Sequence, residues 1–188
     1  MPNHCDNDLT IKGDLETLRA FQEVARGPGG ATRDGGNEEL LSAHRFIPVP
    51  DNFWLNDYHC PKCHHAQPHN PDIFFPHIFF PHCPECGTIM KDAYNRGGYD
   101  WCVEHWGTKW GVYDVTLVDE GDDYLVYNFM TAWSPPKPVI AGMGKRFPSL
   151  DFVLEYYEGL WGFQGVYHMA KGEVCLDISS DYTGNRGG

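Results

Sequence analysis

Two short stretches, "CPKC" at 60–63 and "CPEC" at 83–86, set four cysteines in the pattern C-x2-C-x19-C-x2-C, which falls within zinc-ribbon spacing. A Cys-x-x-Cys turn presents two thiolates to one metal, and a second such turn completes a tetrahedron. The expected ligands are therefore Cys60, Cys63, Cys83 and Cys86, and the expected cofactor is a structural Zn2+, because four thiolates leave no coordination position open for chemistry. Iron also fits four sulfurs. The neighbouring His59, His64, His65 and His82 are candidates either to replace a cysteine or to donate to the thiolates from behind. A thioredoxin-like redox pair is disfavoured, since there are two matched pairs and neither follows a βαβ unit.

The stretch "IFFPHIFFPHCPECG" at 73–87 repeats a pentapeptide and runs into the second pair. A shift of five reverses the face of a strand and turns a helix by about 140°, so neither element makes one continuous stripe of it. Pro76 and Pro81 also remove two backbone donors. The segment reads as a clip bringing Phe74 and Phe75 against Phe79 and Phe80, either as the small core of the ribbon or as an exposed aromatic anchor for a protein partner.

A third cluster is aromatic and basic. His105, Lys109, Trp110, Trp133 and Ser134 are the candidates for a small pocket, although so many large rings are expected chiefly to bury one another. Glu104 and His105 are an acid–base pair in composition only, since adjacent residues on a helix point apart. No nucleophile, base and orienter occur together, so no catalytic residue is assigned and a non-enzymatic protein is expected.

The elements that must carry these groups are legible from periodicity. "NDLTIKG" alternates as a strand, and "DLETLRAFQEVARG" follows as a helix with Asp14 as N-cap and Leu15, Leu18 and Phe21 on its apolar face. Residues 27–36 read as a flexible glycine-rich connection, and "AHRFIPVP" as a short strand. Then come a helix or turn near 99–110, two strands joined at Glu-Gly-Asp-Asp, a proline-started helix near 135–147, and two or three further strands. The tail is expected to fray. Outside the cysteine region, this order argues for a ferredoxin-like α+β sandwich, with a mainly antiparallel sheet and two helices on one face. The expected boundaries are 1–50 with 99–180 for that domain, 51–98 for a zinc-ribbon insertion and 181–188 for a flexible tail.

The chain of 188 residues carries a net charge of -12, made up of -3 over residues 1–50, -3 over 51–110 and -6 over 111–188. Phosphate-driven nucleic-acid binding needs a basic face, so nucleic acid is disfavoured as a partner. Acidity serves solubility first and attraction to a basic partner second. The N-terminal stretch does not read as a signal peptide and no run of apolar residues is long enough to span a membrane, so a cytoplasmic location is expected and no membrane partner.

Three stretches, "MPNHCDNDLTIKG" at 1–13, "WCVEHWGTKWGVYD" at 101–114 and "FMTAWSPPKPV" at 129–139, with "FP" at 147–148 and "YYEGLWGFQG" at 156–165, resemble the YubB-like, ferredoxin-like proteins of bacteriophages and conjugative plasmids. The chain departs from that pattern at His4, where a Trp is usual, and at Gly111, where an acidic residue is usual. The resemblance implies a ferredoxin-like fold and a mobile-element origin, and with it a bacterial host cell, but no catalytic residues. The resulting expectation is an accessory protein that binds a host or defence-system protein, with counter-defence as one form of that role. The alternatives are a nucleic-acid-associated zinc-ribbon module and a small-ligand or enzymatic site near the tryptophans.

Overall fold

A computed structural model describes residues 3–29, 37–50, 58–67, 82–92 and 99–184. The chain divides into two compact units, one of residues 1–49 and 102–188, the other of residues 50–101.

The larger unit opens with β1 (His4–Lys12), whose alternation buries Cys5, Asn7, Leu9 and Ile11. Helix α1 (Leu15–Ala25) follows, capped as its sequence predicts: Asp14 Oδ1 accepts the Thr17 N–H at 2.9 Å and the Thr17 hydroxyl donates to Oδ2 at 2.7 Å. Thr17 holds the Asp14 carboxyl below its ordinary range. Leu18, Phe21 and Ala25 are buried, whereas Leu15, expected on that face, is exposed. Residues 27–36 are not only a connection. Gly27–Pro28 (β2) pairs with Glu38–Glu39 (β3), and residues 30–36 lie outside the described set. "AHRFIPVP" forms a 3-10 turn at Ala43–Arg45 and not a strand, because its two prolines withhold ladder donors.

Among its described residues the smaller unit contains three two-residue strands, β4 (Tyr58–His59), β5 (Ala66–Gln67) and β6 (Lys91–Asp92), in the order β5-β4-β6. Helix α2 (Tyr99–Trp106) crosses the division between units. There follow β7 (Tyr113–Glu120), β8 (Tyr124–Ala132), α3 (Lys137–Arg146), β9 (Asp151–Glu158), β10 (Phe163–Ala170) and β11 (Glu173–Asp181).

The principal sheet has the order β11-β10-β9-β1-β8-β7 and is antiparallel throughout. Its four strands β9-β1-β8-β7, taken with α1 and α3, make the split βαββαβ arrangement of a ferredoxin-like sandwich. Strands β10 and β11 extend it as a meander. Register puts Leu9 beside both Tyr127 and Leu154, so the buried alternate residues of β1, β8 and β9 share one face. Phe21 of α1 meets Phe152 of β9 there, with ring centroids 5.7 Å apart. Helix α3 comes against the same face at Gly144, where an added Cβ would sit 2.9 Å from Met169 Cε. Strand β11 runs to Asp181 and Tyr182 stacks on Tyr157 at 5.3 Å, so the first residues of the expected tail are ordered, while residues 185–188 lie outside the described residues.

Candidate functional site

The four cysteines converge. Their sulfurs all lie within 4.8 Å of one another, with Cys60 and Cys86 at 3.4 Å and Cys63 and Cys83 at 3.5 Å. A tetrahedron with metal–sulfur bonds of about 2.3 Å has edges of about 3.8 Å, so the donor set fits a single ion. Among the described residues no histidine joins this set.

Both knuckles are built the same way. In the first, the Cys60 N–H donates to His65 O at 2.8 Å and the His64 N–H to Cys60 O at 3.0 Å; in the second, Cys83 N–H donates to Thr88 O and Gly87 N–H to Cys83 O, both at 2.8 Å. His64 and Gly87 thus occupy equivalent positions, and both have positive φ, 60° and 68°. The N–H groups of Lys62 and Cys63 point at Cys60 Sγ from 3.4 and 3.5 Å, donors that stabilise a thiolate. Thr88, by its side chain and then its backbone, lowers the Cys86 thiol to about 6. Four cysteines arranged in this way can hold a metal ion. Phe74, Phe75, Phe79 and Phe80 lie outside the described residues.

The tryptophan region divides where sequence reasoning expected one buried cluster. Trp106 is fully buried and its indole N–H donates to Ile47 O at 2.8 Å. The blocks Trp-Gly-Thr-Lys-Trp and Thr-Ala-Trp-Ser-Pro-Pro prove to be two halves of one hydrogen-bonded knot. The Thr108 hydroxyl donates to Ala132 O at 2.7 Å, the Ser134 hydroxyl to Gly107 O at 2.6 Å, and the Thr131 hydroxyl to Ser134 O at 2.9 Å. Gly107, at φ 77°, packs so closely on Pro138 that a Cβ would stand 2.7 Å from its Cδ. Of the pocket candidates, Lys109, Trp110 and Trp133 come together: the Lys109 ammonium lies 5.1 Å from the Trp110 ring centroid and 4.3 Å from that of Trp133. Ser134 follows Trp133 but its hydroxyl serves the backbone. His105 sits at the end of α2, half-buried, while Glu104 is exposed.

Trp133 is 43% exposed and holds a left-handed backbone, φ 76°, rare for a bulky residue. Its N–H donates to Asn3 O at 2.9 Å. With Trp161 and Phe163 it lines an open cleft of about 530 Å³. Trp161 and Leu160 stand 74% and 79% exposed on the β9–β10 turn. That turn is held from inside: the Glu158 carboxylate, 1% exposed, accepts the backbone N–H groups of Leu160, at 3.1 Å, and Trp161. Sequence reading missed Trp161, Phe163 and Glu158. The available signal was "EGLWG", two apolar residues between glycines at a strand turn.

Residues 106–186 match a family model described as the ferredoxin-like domain in Api92-like protein. None of the curated proteins matches the chain. The crystal structure of the protein api92 from Yersinia pseudotuberculosis is similar over 98% of this chain and 99% of that one, with a TM-score of 0.55 and 11% identity. No helix among the described residues is long and apolar enough to cross a membrane. From β7 through β11 the chain is therefore similar to the ferredoxin-like domain of Api92-like proteins, and over nearly its whole length it has the fold of Api92.

Proposed function

We propose that this protein is a non-enzymatic binding module that docks a basic protein partner through an exposed aromatic surface, with its smaller unit stapled by Zn2+ on Cys60, Cys63, Cys83 and Cys86. The observation that carries the reading is the pair Leu160 and Trp161, held out into solvent by a buried carboxylate beside an exposed Trp133. A rigid tryptophan whose backbone is fixed from below loses little entropy on docking, which is the physical profile of an interface anchor. The charge of -12 favours a basic partner and opposes nucleic acid. Phe74, Phe75, Phe79 and Phe80 make a second anchor in this reading. The resemblance to phage and plasmid proteins makes a host or defence-system protein in a bacterial cytoplasm the partner class, with counter-defence inhibition as its consequence.

The test is a nuclease-treated pull-down from bacterial lysate with the native chain, a Leu160→Ser/Trp161→Ser variant and a variant with serine at the four phenylalanines, each checked for metal content. A protein recovered by the native chain and lost with the Trp161 variant supports the reading. Equal recovery by all three, or none, removes it and turns attention to small ligands in the Trp133 cleft.

A further inference from the structure

Helices α1 and α3 pack on one face of the principal sheet, and the side chains that alternate with that core point to the other. On this open face a groove of about 340 Å³ runs over β10, lined by Glu155 and Tyr157 of β9, Gln164 and Val166 of β10, and Ile178 and Ser180 of β11. Asp6 and Asp8 of β1 continue its acidic side, since register sets Asp8 beside Glu155 and Asp6 beside Tyr157. The Asn128 amide donates to Asp6 at 3.0 Å and to Asp8 at 2.9 Å, and the Tyr157 hydroxyl donates to Asp6 at 3.4 Å. These neutral donors satisfy the Asp6 oxygens without cancelling their charge.

The chain itself begins to cover the groove. Past the end of β11 the Tyr182 N–H donates to Gly162 O at 2.6 Å, and the Tyr182 ring stacks on Tyr157 with planes 14° from parallel. The Gln164 amide donates to the Thr183 hydroxyl at 3.3 Å, and a Cβ added at Gly184 would stand 3.7 Å from Gln164 Oε1. Residues 182–184 have thus left the β11 edge and turned across β10 toward β9. The next residues in sequence are Asn185 and Arg186.

We infer that this crossing continues and that the Arg186 guanidinium is the occupant of the groove, set against the Tyr157–Tyr182 stack and paired with Glu155 and Asp6, so that the chain caps its own open sheet face. Reach, shape and charge agree on this occupant. Two residues past Gly184 add at most ~7 Å of chain, and β9 and β1 are the next two strands at spacings of ~4.8 Å, a span that an arginine side chain completes. A planar guanidinium stacks on an aromatic face and forks onto carboxylates, which an ammonium does not do. Its methylenes have the apolar side chains of Val166 and Ile178 to cover. In a chain of net charge -12, Arg186 is the one basic side chain among residues 182–188, so the acidic side of the groove has its complement on the segment already crossing it.

An exposed ion pair adds little stability, so the test reads position: NMR of the full, metal-loaded chain at low salt. Nuclear Overhauser contacts are expected from the Arg186 δ-methylene to the Tyr157 and Tyr182 rings, with that methylene shifted upfield by the ring currents. They should be unchanged on roughly tenfold dilution, because the chain itself sets the effective concentration of an intramolecular contact. Asp6→Asn with Glu155→Gln, which keeps size and removes charge, should abolish them while Tyr182 stays stacked on Tyr157. Arg186→Lys, which keeps charge and removes the planar fork, should abolish them too. Absence of the contacts in the native chain overturns the inference. So does their loss on dilution, which would make another molecule the source of the occupant, or their persistence in either variant. The aromatic-surface reading stands or falls separately, by the Trp161 variant.

Discussion

Cys5 and Cys102 are enclosed by the fold, and burial pushes both thiols up to about 12 from their ordinary value of 9.0. At pH 8 they stay protonated and inert, whereas Cys175 is exposed. In the metal-loaded protein a thiol reagent should therefore label Cys175 rapidly, and after chelation the four knuckle cysteines should join it; rapid labelling of Cys5 would contradict its placement. The sign for stability follows from the same shifts. The folded state keeps these protons when the unfolded chain releases them, so the contribution is whole below pH about 9 and declines as the pH rises toward about 12. A urea midpoint lower at pH 10 than at pH 8 is the expected observation. Glu158 makes a different prediction. Glu158→Gln keeps the size but exchanges a carboxylate with two acceptor oxygens for an amide with one, so that one of the two turn N–H groups loses its charged acceptor at a cost of about 1–3 kcal/mol. The loss should appear as faster hydrogen exchange at Leu160 and Trp161, with exchange in β1 unchanged. Sequence could place the four cysteines in one cluster because few other arrangements of four thiols make chemical sense, but it could not find Glu158. A buried carboxylate is recognisable only once the two N–H groups it serves are in place.

At the level of elements, the two knuckles form an internal control on backbone strain. His64 and Gly87 hold the same left-handed position, which costs a residue with a Cβ about 1–2 kcal/mol relative to glycine. Gly87→Ala should weaken metal binding by roughly that amount, and His64→Gly should leave it unchanged or strengthen it, as read by competition with a metal indicator. If His64→Gly weakened binding instead, its imidazole would have to contribute more than its backbone costs. The strands and helices were readable because alternation and capping are local: β1, α1, β8, α3 and β9 stand where the pattern places them, and Asp14 caps as its type suggests. The failures came where tertiary contacts decide. "AHRFIPVP" has strand composition but spends its backbone on a turn, and its Ile47 carbonyl receives the Trp106 indole. Trp133 looked like core because its ring is large, yet the chain reverses hand there and aims it outward. The ordered end of β11 escaped notice because its partner is β10, a pairing that composition does not reveal.

For the whole molecule, the contrast between its two units decides how it responds to loss of metal. In the smaller unit the described apolar cluster consists of Cys60, Cys83 and Met90 with Cys86 packed against it, so three of its four members belong to the set of cysteines that can hold a metal ion. The larger unit buries Leu9, Phe21, Phe129, Phe152 and Leu154 without any such dependence. A structural Zn2+ site contributes on the order of 10–16 kcal/mol to a small module, more than such a core can replace. Chelation should therefore abolish hydrogen-exchange protection in residues 58–67 and 82–92 while leaving that of β1, β8 and β9 intact. Readdition of Zn2+ should restore it at neutral pH and fail to do so in acid, where protons compete for the thiolates. If protection at 58–67 survived complete removal of metal, the knuckles would be held by packing alone, and the ion would be an occupant of the site and not the reason the unit folds.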